Sequence, residues 1–413
     1  MDSTDARART RARLICLLMA TFVIGTDDFV IAGVLPAIAA EQGVGEAAAG
    51  QLVTVFSITY ALAAPPLAVI TAPWPRRRLV VGGLAVFGGI NAVTALAAGF
   101  AMLMVLRVAA ALTAAAITPA VFAMAARLAA PGRVGRAIGV VAAGLTVSLF
   151  AGVPLGSLLG SAFGWRSAFA AVALATGAVF AASALLLPSL PGAAETGLAA
   201  RLRILSRPAV LLGVLSTVIG AAGGLMTYTY IAPITRDLTG REGALLAVFI
   251  AVAGLAGAAG TVVGGRLTDR WGADRALLFS FSVQLAATAG LALSSVTSRG
   301  TTPVWLVAAL VAIWGFGGWA FNPPMNARML RLGGEAGTEA VALNTSGLYV
   351  GVALGGGLGG GAVALYGGTG VALTATGIGL VTLGLMIVSV ERFPAADLPA
   401  EGGVPAGRGR ENA

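Results

Sequence analysis

Residues 14–36 read LICLLMATFVIGTDDFVIAGVLP, an apolar run of 23 residues interrupted by two adjacent acids, Asp27 and Asp28. A bilayer core about 30 Å thick is spanned by roughly 20 apolar residues in a helix. This stretch therefore predicts a membrane-spanning helix that carries ionisable groups inside the hydrocarbon. Because the run is long and is not followed by a small-residue cleavage site, we expect it to remain as the first helix of the protein rather than be removed as a signal peptide.

Apolar runs of similar length recur along the whole chain of 413 residues. Twelve candidates can be counted, at residues 14–36, 50–71, 79–98, 101–124, 137–160, 167–188, 208–232, 243–264, 276–296, 303–325, 341–362 and 368–390. The composition agrees, since 58% of the residues are hydrophobic and 10% are charged, against about 45–50% and about 25% in soluble domains. The fold class we predict is an all-α polytopic membrane protein with twelve transmembrane helices.

The connections between the runs predict how the chain is organised. The longest internal polar stretch, residues 189–207, lies between the sixth and seventh runs and divides the chain into two six-helix bundles, at 14–188 and 208–390. Residues 1–13 are expected to form an N-terminal tail. Residues 391–413 are rich in proline, glycine and charge, which is typical of a disordered tail.

Arginine is distributed unequally between the two sides of the predicted bundle. The tails and the even-to-odd connections carry 21 arginines, whereas the opposite connections carry four. Basic residues favour the cytoplasmic side, so we expect both termini in the cytoplasm and a multi-pass protein of the cytoplasmic membrane. The net charge of +9 then reflects topology, and no nucleic-acid partner is expected.

Several kinds of chemistry are excluded by missing residue types. The chain has no histidine and no lysine, so all 26 basic residues are arginine. A P-loop needs its lysine, and imidazole bases and histidine-ligated metals need histidine. We therefore expect no enzyme activity, no nucleotide, no metal and no cofactor. The single cysteine, Cys16, lies in the first run and cannot form an intrachain disulfide.

Three ionisable residues fall well inside the predicted helices, namely Asp27 and Asp28 in the first and Arg107 in the fourth. Such groups are costly in a bilayer and are functional candidates by default. At 1.5 Å per residue, Arg107 and the two acids lie at similar depth. The face of Asp28 continues through small and polar residues, whereas the face of Asp27 is aliphatic, so we favour Asp28 as the residue that gains and loses a proton. The alternative is that Asp27 and Arg107 form a fixed structural pair.

The connection between the eighth and ninth runs reads GRLTDRWGADR at residues 265–275. This stretch resembles the G-x-x-x-D-R-x-G-R-R loop of the major facilitator superfamily. The resemblance implies a role in conformational gating for Gly265, Asp269, Arg270, Gly272 and Arg275.

Two further stretches resemble the twelve-helix drug:proton antiporters of that superfamily. The fifth run carries Gly144 and then GVPLG at residues 152–156, similar to the antiporter signature, which implies gating roles for Gly152, Pro154 and Gly156. Glycines permit close helix contact and proline bends a helix. The first run, with GTDDF at 25–29, and Leu343-Asn344-Thr345 in the eleventh resemble the chloramphenicol-exporter-like and arabinose-efflux-like branch. Relatives in that branch carry an acid at either aspartate position, which leaves the choice between Asp27 and Asp28 open.

The sequence also departs from the family pattern at two places. The first-half copy of the loop reads AVITAPWPRR at residues 68–77 and lacks the aspartate and the glycines, so gating by that copy is left open. The fourth run keeps Arg107 but has Ala110 and Ala111 where the family places glutamine and glycine.

The resemblance implies two bundles that rock around a central cavity near the midplane, with transport driven by protons. Polar and aromatic residues in the runs are candidates for the cavity wall, namely Tyr60, Tyr228, Tyr230, Trp314, Asn322 and Asn344. Since few charges face the interior, we predict export of drugs or other small amphiphilic, largely apolar compounds. The alternative is efflux of a sugar or small metabolite. A monomer is usual among the relatives and is expected here.

Overall fold

The computed structural model describes residues 3–129, 134–192, 203–241, 243–298 and 300–395, and these parts of the chain are helical with short connections. The first six helices are α1 Ser3–Gln42, α2 Glu46–Ile70, α3 Arg76–Ala95, α4 Phe100–Leu128, α5 Val134–Val147 with Ser148–Gly152 and Val153–Phe163, and α6 Trp165–Leu186. The second six are α7 Pro208–Thr229 with Ile231–Thr239, α8 Ala244–Trp271, α9 Ala273–Thr297, α10 Val304–Ala320 with Asn322–Gly333, and α11 and α12, which together form Gly337–Arg392.

The helices α11 and α12 run together as one segment, which explains why the described residues contain eleven long apolar helical segments and not twelve. Helical hydrogen bonding continues through Gly337–Arg392, but Tyr366 and Gly367 have non-helical backbone angles. Gly367 has φ 62°, a left-handed conformation that favours glycine. The chain therefore turns between the predicted runs 341–362 and 368–390, and twelve helices are present.

Three helices are interrupted where proline removes a backbone donor. In α5 a π-helical turn over Ser148–Gly152 precedes Pro154. In α7 the interruption falls at Tyr230, three residues before Pro233. In α10 it falls at Phe321, just before Pro323 and Pro324. In α5 the irregularity beside the proline takes the form of a π turn.

The helix ends differ from the predicted runs at both tails. The first helix begins at Ser3 rather than after residue 13, because the alanine-rich and arginine-rich stretch before Leu14 consists largely of good helix formers. The predicted tail at 1–13 is therefore mostly helix in the structure. At the other end, α12 continues to Arg392, and the rest of the predicted tail lies outside the described residues beyond 395. Of the predicted loop 189–207, residues 193–202 also lie outside them.

Packing inside each half follows the same scheme, with α1 against α5 and α2 against α4 in the first, and α7 against α11 and α8 against α10 in the second. The two halves meet through α2 with α11 and through α5 with α8. A twofold-like rotation that relates the halves places α2 on α8 and α11 on α5. The contact between α2 and α11 is therefore equivalent to the contact between α8 and α5. This pseudo-twofold arrangement leaves a central space lined by α1, α2, α7 and α11.

The two ends of the bundle differ in their arginine content. The arginine-rich end is the one where α1, α3 and α7 begin, and the arginine-poor end is where they finish. At the arginine-rich end, Arg13, Arg77 and Arg127 donate hydrogen bonds to carbonyl oxygens of residues 184–191, between the end of α6 and Pro191. The bonds to Ala184 and Leu186 satisfy carbonyl groups that the end of α6 leaves without an intrahelical partner.

Candidate substrate and proton site

The three ionisable residues predicted inside the membrane are buried and lie close together in the first half. Asp27 is 1% exposed, Asp28 is 4% exposed and Arg107 is 2% exposed. The Arg107 Nη1 atom donates to the Asp27 carboxylate at 3.0 Å and to the Asp27 carbonyl oxygen at 3.3 Å. The guanidinium also lies over the ring of Phe56, with 4.3 Å between its central carbon and the ring centroid. Asp27 and Arg107 therefore form a buried ion pair whose charges compensate each other.

Asp28 faces a different environment from its neighbour, because adjacent helix positions point about 100° apart. Its Oδ2 atom accepts a hydrogen bond of 3.0 Å from the hydroxyl of Tyr349, on α11 of the other half. Asp28 also lines a small cavity between the halves. The carboxyl group of Asp28 thus lies where α1 meets the second half of the protein.

The cavity beside Asp28 is small and mainly apolar. Its remaining wall is formed by Phe29, Ala32, Val53, Leu225, Tyr228, Thr229 and Val352. The free volume is about 10 Å³, close to what a single water molecule requires. In this conformation the halves are closed around Asp28, so a drug-sized compound requires the walls to separate.

An aromatic cluster lies on one side of this cavity. Tyr228 stacks on Trp314 at 6.0 Å between ring centroids and meets Phe29 and Trp319 edge-on at 5.8 and 6.1 Å. The Tyr228 hydroxyl and the Trp314 indole nitrogen are buried and have no hydrogen-bond partner among the described residues. Buried polar groups are normally paired. Tyr228 therefore brings an unused donor to the lining of the cavity, and Trp314, stacked on Tyr228, carries a second one.

Of the six predicted cavity residues, Tyr228 alone belongs to the lining in this conformation; Trp314 stacks on it from outside, and the other four also lie outside the lining. Tyr60 is buried and its ring lies 4.1 Å from that of Tyr349. Tyr230 donates to the Gly356 carbonyl oxygen at 2.7 Å and joins α7 to α11. Asn344 accepts from the Thr217 hydroxyl at 2.7 Å and likewise joins these helices. Asn322 is half-buried at the interruption of α10. Tyr230 and Asn344 thus act in helix packing in this structure, because both polar groups are paired inside the second half.

The predicted gating residues of α5 form its contact with α1. A Cβ atom placed on Gly152 would meet the Thr26 side chain, and one on Gly156 would meet Val30. Pro154 is buried between them. The glycines therefore allow α5 to approach the helix that carries both aspartates.

The loop between α8 and α9 lies at the arginine-rich end. Asp269, Arg270 and Arg275 are exposed, and Gly272 turns the chain with φ 82°, which favours glycine. Gly265 is half-buried in the last turns of α8, with open space where a Cβ would lie. Asp269 makes no ion pair within the described parts of the chain.

A neighbouring acid of the same loop makes the interhelical contact instead. The carboxylate of Asp274 pairs with Arg328 of α10, which is 1% exposed, and accepts a bond of 2.8 Å from the backbone nitrogen of Ala395. Arg328 also donates to carbonyl oxygens of Ser389 and Phe393. The sequence analysis missed Asp274, although it stands next to Arg275, and it missed Arg328.

Tyr349 was missed as well, and it is the residue that contacts Asp28. A tyrosine in the middle of the run 341–362, one turn after Asn344, was the available signal. The sequence could not reveal its partner, since the two residues are 321 positions apart. Glu46 and Arg236 were missed for the same reason, and they join the halves at the arginine-poor end.

These features define the class of the protein. A polytopic helical protein with two equivalent halves and a buried acid in a central cavity has the architecture of a secondary transporter. Comparison with known proteins agrees, since residues 17–339 match the model of the Major Facilitator Superfamily. The chain belongs to the Major Facilitator Superfamily, and it is a multi-pass membrane transporter rather than an enzyme.

Similar curated proteins are bacterial transporters. A chloramphenicol resistance protein of Streptomyces lividans is 33% identical over 83% of this chain and 86% of its own length. The uncharacterized MFS-type transporter YbcL of Bacillus subtilis is 30% identical over 84% of this chain and 88% of its own length. A chloramphenicol efflux pump of Mycobacterium tuberculosis is 30% identical over 85% of this chain and 86% of its own length.

A solved structure shares the fold. It is the inward-facing, unoccupied form of a bacterial homologue of the human lysosomal transporter Spinster. The TM-score is 0.69 at 18% identity, and the alignment covers 95% of this chain and 96% of that one. At this level of identity the likeness concerns the fold alone.

Proposed function

We propose that this protein is a proton-coupled antiporter that exports small amphiphilic compounds, and that Asp28 is the group that binds and releases the proton. The observation that carries the proposal is the different pairing of the two adjacent acids. Asp27 is compensated by Arg107, whereas Asp28 faces the cavity with a neutral tyrosine as its partner. A buried carboxylate without an ion-pair partner in contact is costly, so such a group takes up a proton or a cationic ligand.

The substrate class follows from the wall of the cavity. Apart from Asp28, the lining consists of apolar side chains, one tyrosine and one threonine. Such a wall suits a largely apolar compound and offers few partners to a sugar. Two similar proteins bear chloramphenicol in their names, which makes chloramphenicol the first compound to test and connects this chain with antibiotic resistance.

Transport by this arrangement needs only two ligands, the compound and the proton. The two bundles at 14–188 and 208–390 alternate in access to the cavity, with the arginine-rich end and both termini in the cytoplasm. Each charge moved across 100 mV supplies about 2.3 kcal/mol, which sustains roughly a fifty-fold substrate gradient. A single copy of the chain contains the complete cavity and suffices for this mechanism.

Everted membrane vesicles test the proposal. We expect chloramphenicol, added to vesicles with a preformed pH gradient, to cause proton release through the wild type and not through Asp28→Asn. In an efflux-deficient bacterium the wild type should raise chloramphenicol resistance and Asp28→Asn should not. Proton release and resistance that persist unchanged in Asp28→Asn would overturn the assignment of Asp28.

A matched control comes from the same helix. Glu41 is a half-exposed acid near the end of α1 that pairs with Arg166 outside the cavity. Glu41→Gln removes an equal charge from α1 and should leave proton release and resistance as in the wild type. If chloramphenicol gives no signal with any variant, a panel of neutral and cationic aryl compounds follows in the same vesicles. If no compound in the panel causes proton release through the wild type, the antiporter function is refuted.

A further inference from the structure

Tyr349 joins the two halves of the protein in the middle of the membrane. It lies on α11, and its hydroxyl group donates to the Oδ2 atom of Asp28 on α1 at 3.0 Å. The wall of the cavity continues from Asp28 to Val352, one turn further along α11. Any movement that separates the halves at the cavity must therefore break or rearrange this hydrogen bond.

The ring of Tyr349 is held in place independently of its hydroxyl group. It packs on the ring of Tyr60 from α2, with 4.1 Å between the centroids and an angle of 31° between the planes. Tyr60 in turn stacks on Phe56 at 6.4 Å. A phenylalanine at position 349 would retain this stacking and lose only the bond to Asp28, which allows the bond to be tested separately.

The groups that face Asp28 come from each helix around it. They are Asp27 on α1, Arg107 on α4, Tyr60 on α2, Tyr228 on α7 and Tyr349 on α11. Asp27 and Arg107 compensate each other, and the Tyr228 hydroxyl is unpaired among the described residues. Tyr349 is thus the hydrogen-bond donor that the second half supplies to the Asp28 carboxylate.

The strength of this bond depends on the charge of its acceptor. A hydroxyl that donates to a carboxylate forms a charge-assisted bond, roughly twice as strong as a bond between neutral groups. When Asp28 binds a proton, the bond to Tyr349 becomes a neutral one and weakens. Proton binding on α1 therefore loosens the contact with α11, while release of the proton tightens it.

We propose that Tyr349 is a positioning residue that couples the charge of Asp28 to the contact between the two halves. The coupling is reciprocal, because two linked equilibria change each other by the same free energy. If proton binding weakens the bond, then removing the bond favours proton binding to the same extent. This inference rests on the proposed role of Asp28 and goes beyond it, since it names the residue through which the second half responds.

Infrared titration of the purified protein in lipid tests the reciprocal effect without a substrate. The band of the protonated carboxyl group is followed with pH, and the part that disappears in Asp28→Asn belongs to Asp28. For Tyr349→Phe we expect the midpoint of this band to lie about one pH unit higher than in the wild type. Tyr366→Phe is the matched control. It removes the same hydroxyl group from a tyrosine at the end of α11 that is 72% exposed and does not contact Asp28.

Spin-label distances test the effect on the halves. With Cys16→Ala, cysteines at the exposed positions Ile70 and Leu330 carry labels at the arginine-rich ends of α2 and α10. We expect the distance between the labels to change with pH in the wild type and in Tyr366→Phe, and to lose most of this change in Tyr349→Phe.

Three results can be told apart. An Asp28 band whose midpoint is the same in Tyr349→Phe as in the wild type would overturn the coupling role of Tyr349 and leave the proposed function intact. If no band depends on Asp28, the proposed proton site itself fails. If Tyr349→Phe does not fold, the distance measurement on Asp28→Asn replaces it, because this variant also lacks the charged acceptor. A pH response retained in Asp28→Asn would then refute the coupling.

Discussion

Glu46 and Arg236 form a two-pronged ion pair between the halves of the protein. The two terminal nitrogen atoms of Arg236 on α7 donate to the two carboxylate oxygens of Glu46 on α2, at 2.7 and 3.1 Å. Glu46 is the first residue of α2, and Arg236 lies in the short segment after the interruption of α7. The pair therefore joins α2 of the first half to α7 of the second half at the arginine-poor end.

Neutralising this pair should open the arginine-poor end. In Glu46→Gln or Arg236→Gln the contact between α2 and α7 loses its charge-assisted bonds, so open conformations gain population. Spin labels at the exposed positions Phe163 on α5 and Trp305 on α10, in a Cys16→Ala background, measure the distance between the halves there. We expect longer distances in both variants.

The charge-swapped variant Glu46→Arg with Arg236→Glu provides the control. It restores opposite charges across the same contact, so distances close to those of the wild type are expected. If both single variants give the wild-type distance distribution, the ion pair does not hold this end closed.

The two adjacent aspartates should differ in their effect on stability. Asp27→Asn leaves the guanidinium of Arg107 buried without its counter-charge, which typically costs about 3–5 kcal/mol. Asp28→Asn removes a charge that has no ion-pair partner and should leave stability unchanged or increase it. Thermal unfolding of the purified variants, monitored by size-exclusion chromatography after heating, measures the difference in stability. Equal losses in both variants would contradict the distinct roles assigned to the two acids.

Close packing between α1 and α5 should be sensitive to a single methyl group. A Cβ atom on Gly144 would run into the carbonyl oxygen of Leu18, and because this is backbone it cannot rotate away. Gly144→Ala is therefore expected to destabilise the protein by about 1–3 kcal/mol and to slow transport. Gly139→Ala on the same helix is the control, since a Cβ there meets nothing within 4 Å. Thermal unfolding and vesicle transport give the two measurements.

The fold was largely predictable because each helix carries its own signal. Length and hydrophobicity locate a membrane-spanning helix without knowledge of its neighbours, so the runs anticipated all twelve helices. Pro154 also marked, from the sequence alone, the place where α5 is irregular. The extension of α1 back to Ser3 was not predicted, because residues 3–13 are polar and hydrophobicity alone does not identify a polar helix.

The site was predictable only in part, because its contacts join distant residues. Asp27, Asp28 and Arg107 stand out, since a charge inside an apolar run is visible in the sequence. The residues that contact these charged groups cannot be identified from the sequence alone. Tyr349 meets Asp28, and Arg236 meets Glu46, only after α11 and α7 have packed against the first half.

The connection motif at residues 265–275 contains two aspartates, Asp269 in the last turn of α8 and Asp274 in the first turn of α9, for which we predict different effects on stability. Asp274→Asn removes the counter-charge of the buried Arg328, which also holds the end of α12 through Ser389 and Phe393. Loss of one partner of a buried pair costs about 3–5 kcal/mol, so this variant should unfold at a lower temperature.

Asp269→Asn, in contrast, alters an exposed residue that makes no ion pair in the described structure, and its unfolding temperature should equal that of the wild type. If Asp269 acts in gating, as its motif position suggests, it pairs in a conformation other than this one. Its loss then slows transport and leaves substrate binding unchanged. Unfolding curves, binding isotherms and vesicle transport rates of the two variants provide the measurements. An Asp269→Asn variant that transports at the wild-type rate would remove Asp269 from the gating mechanism.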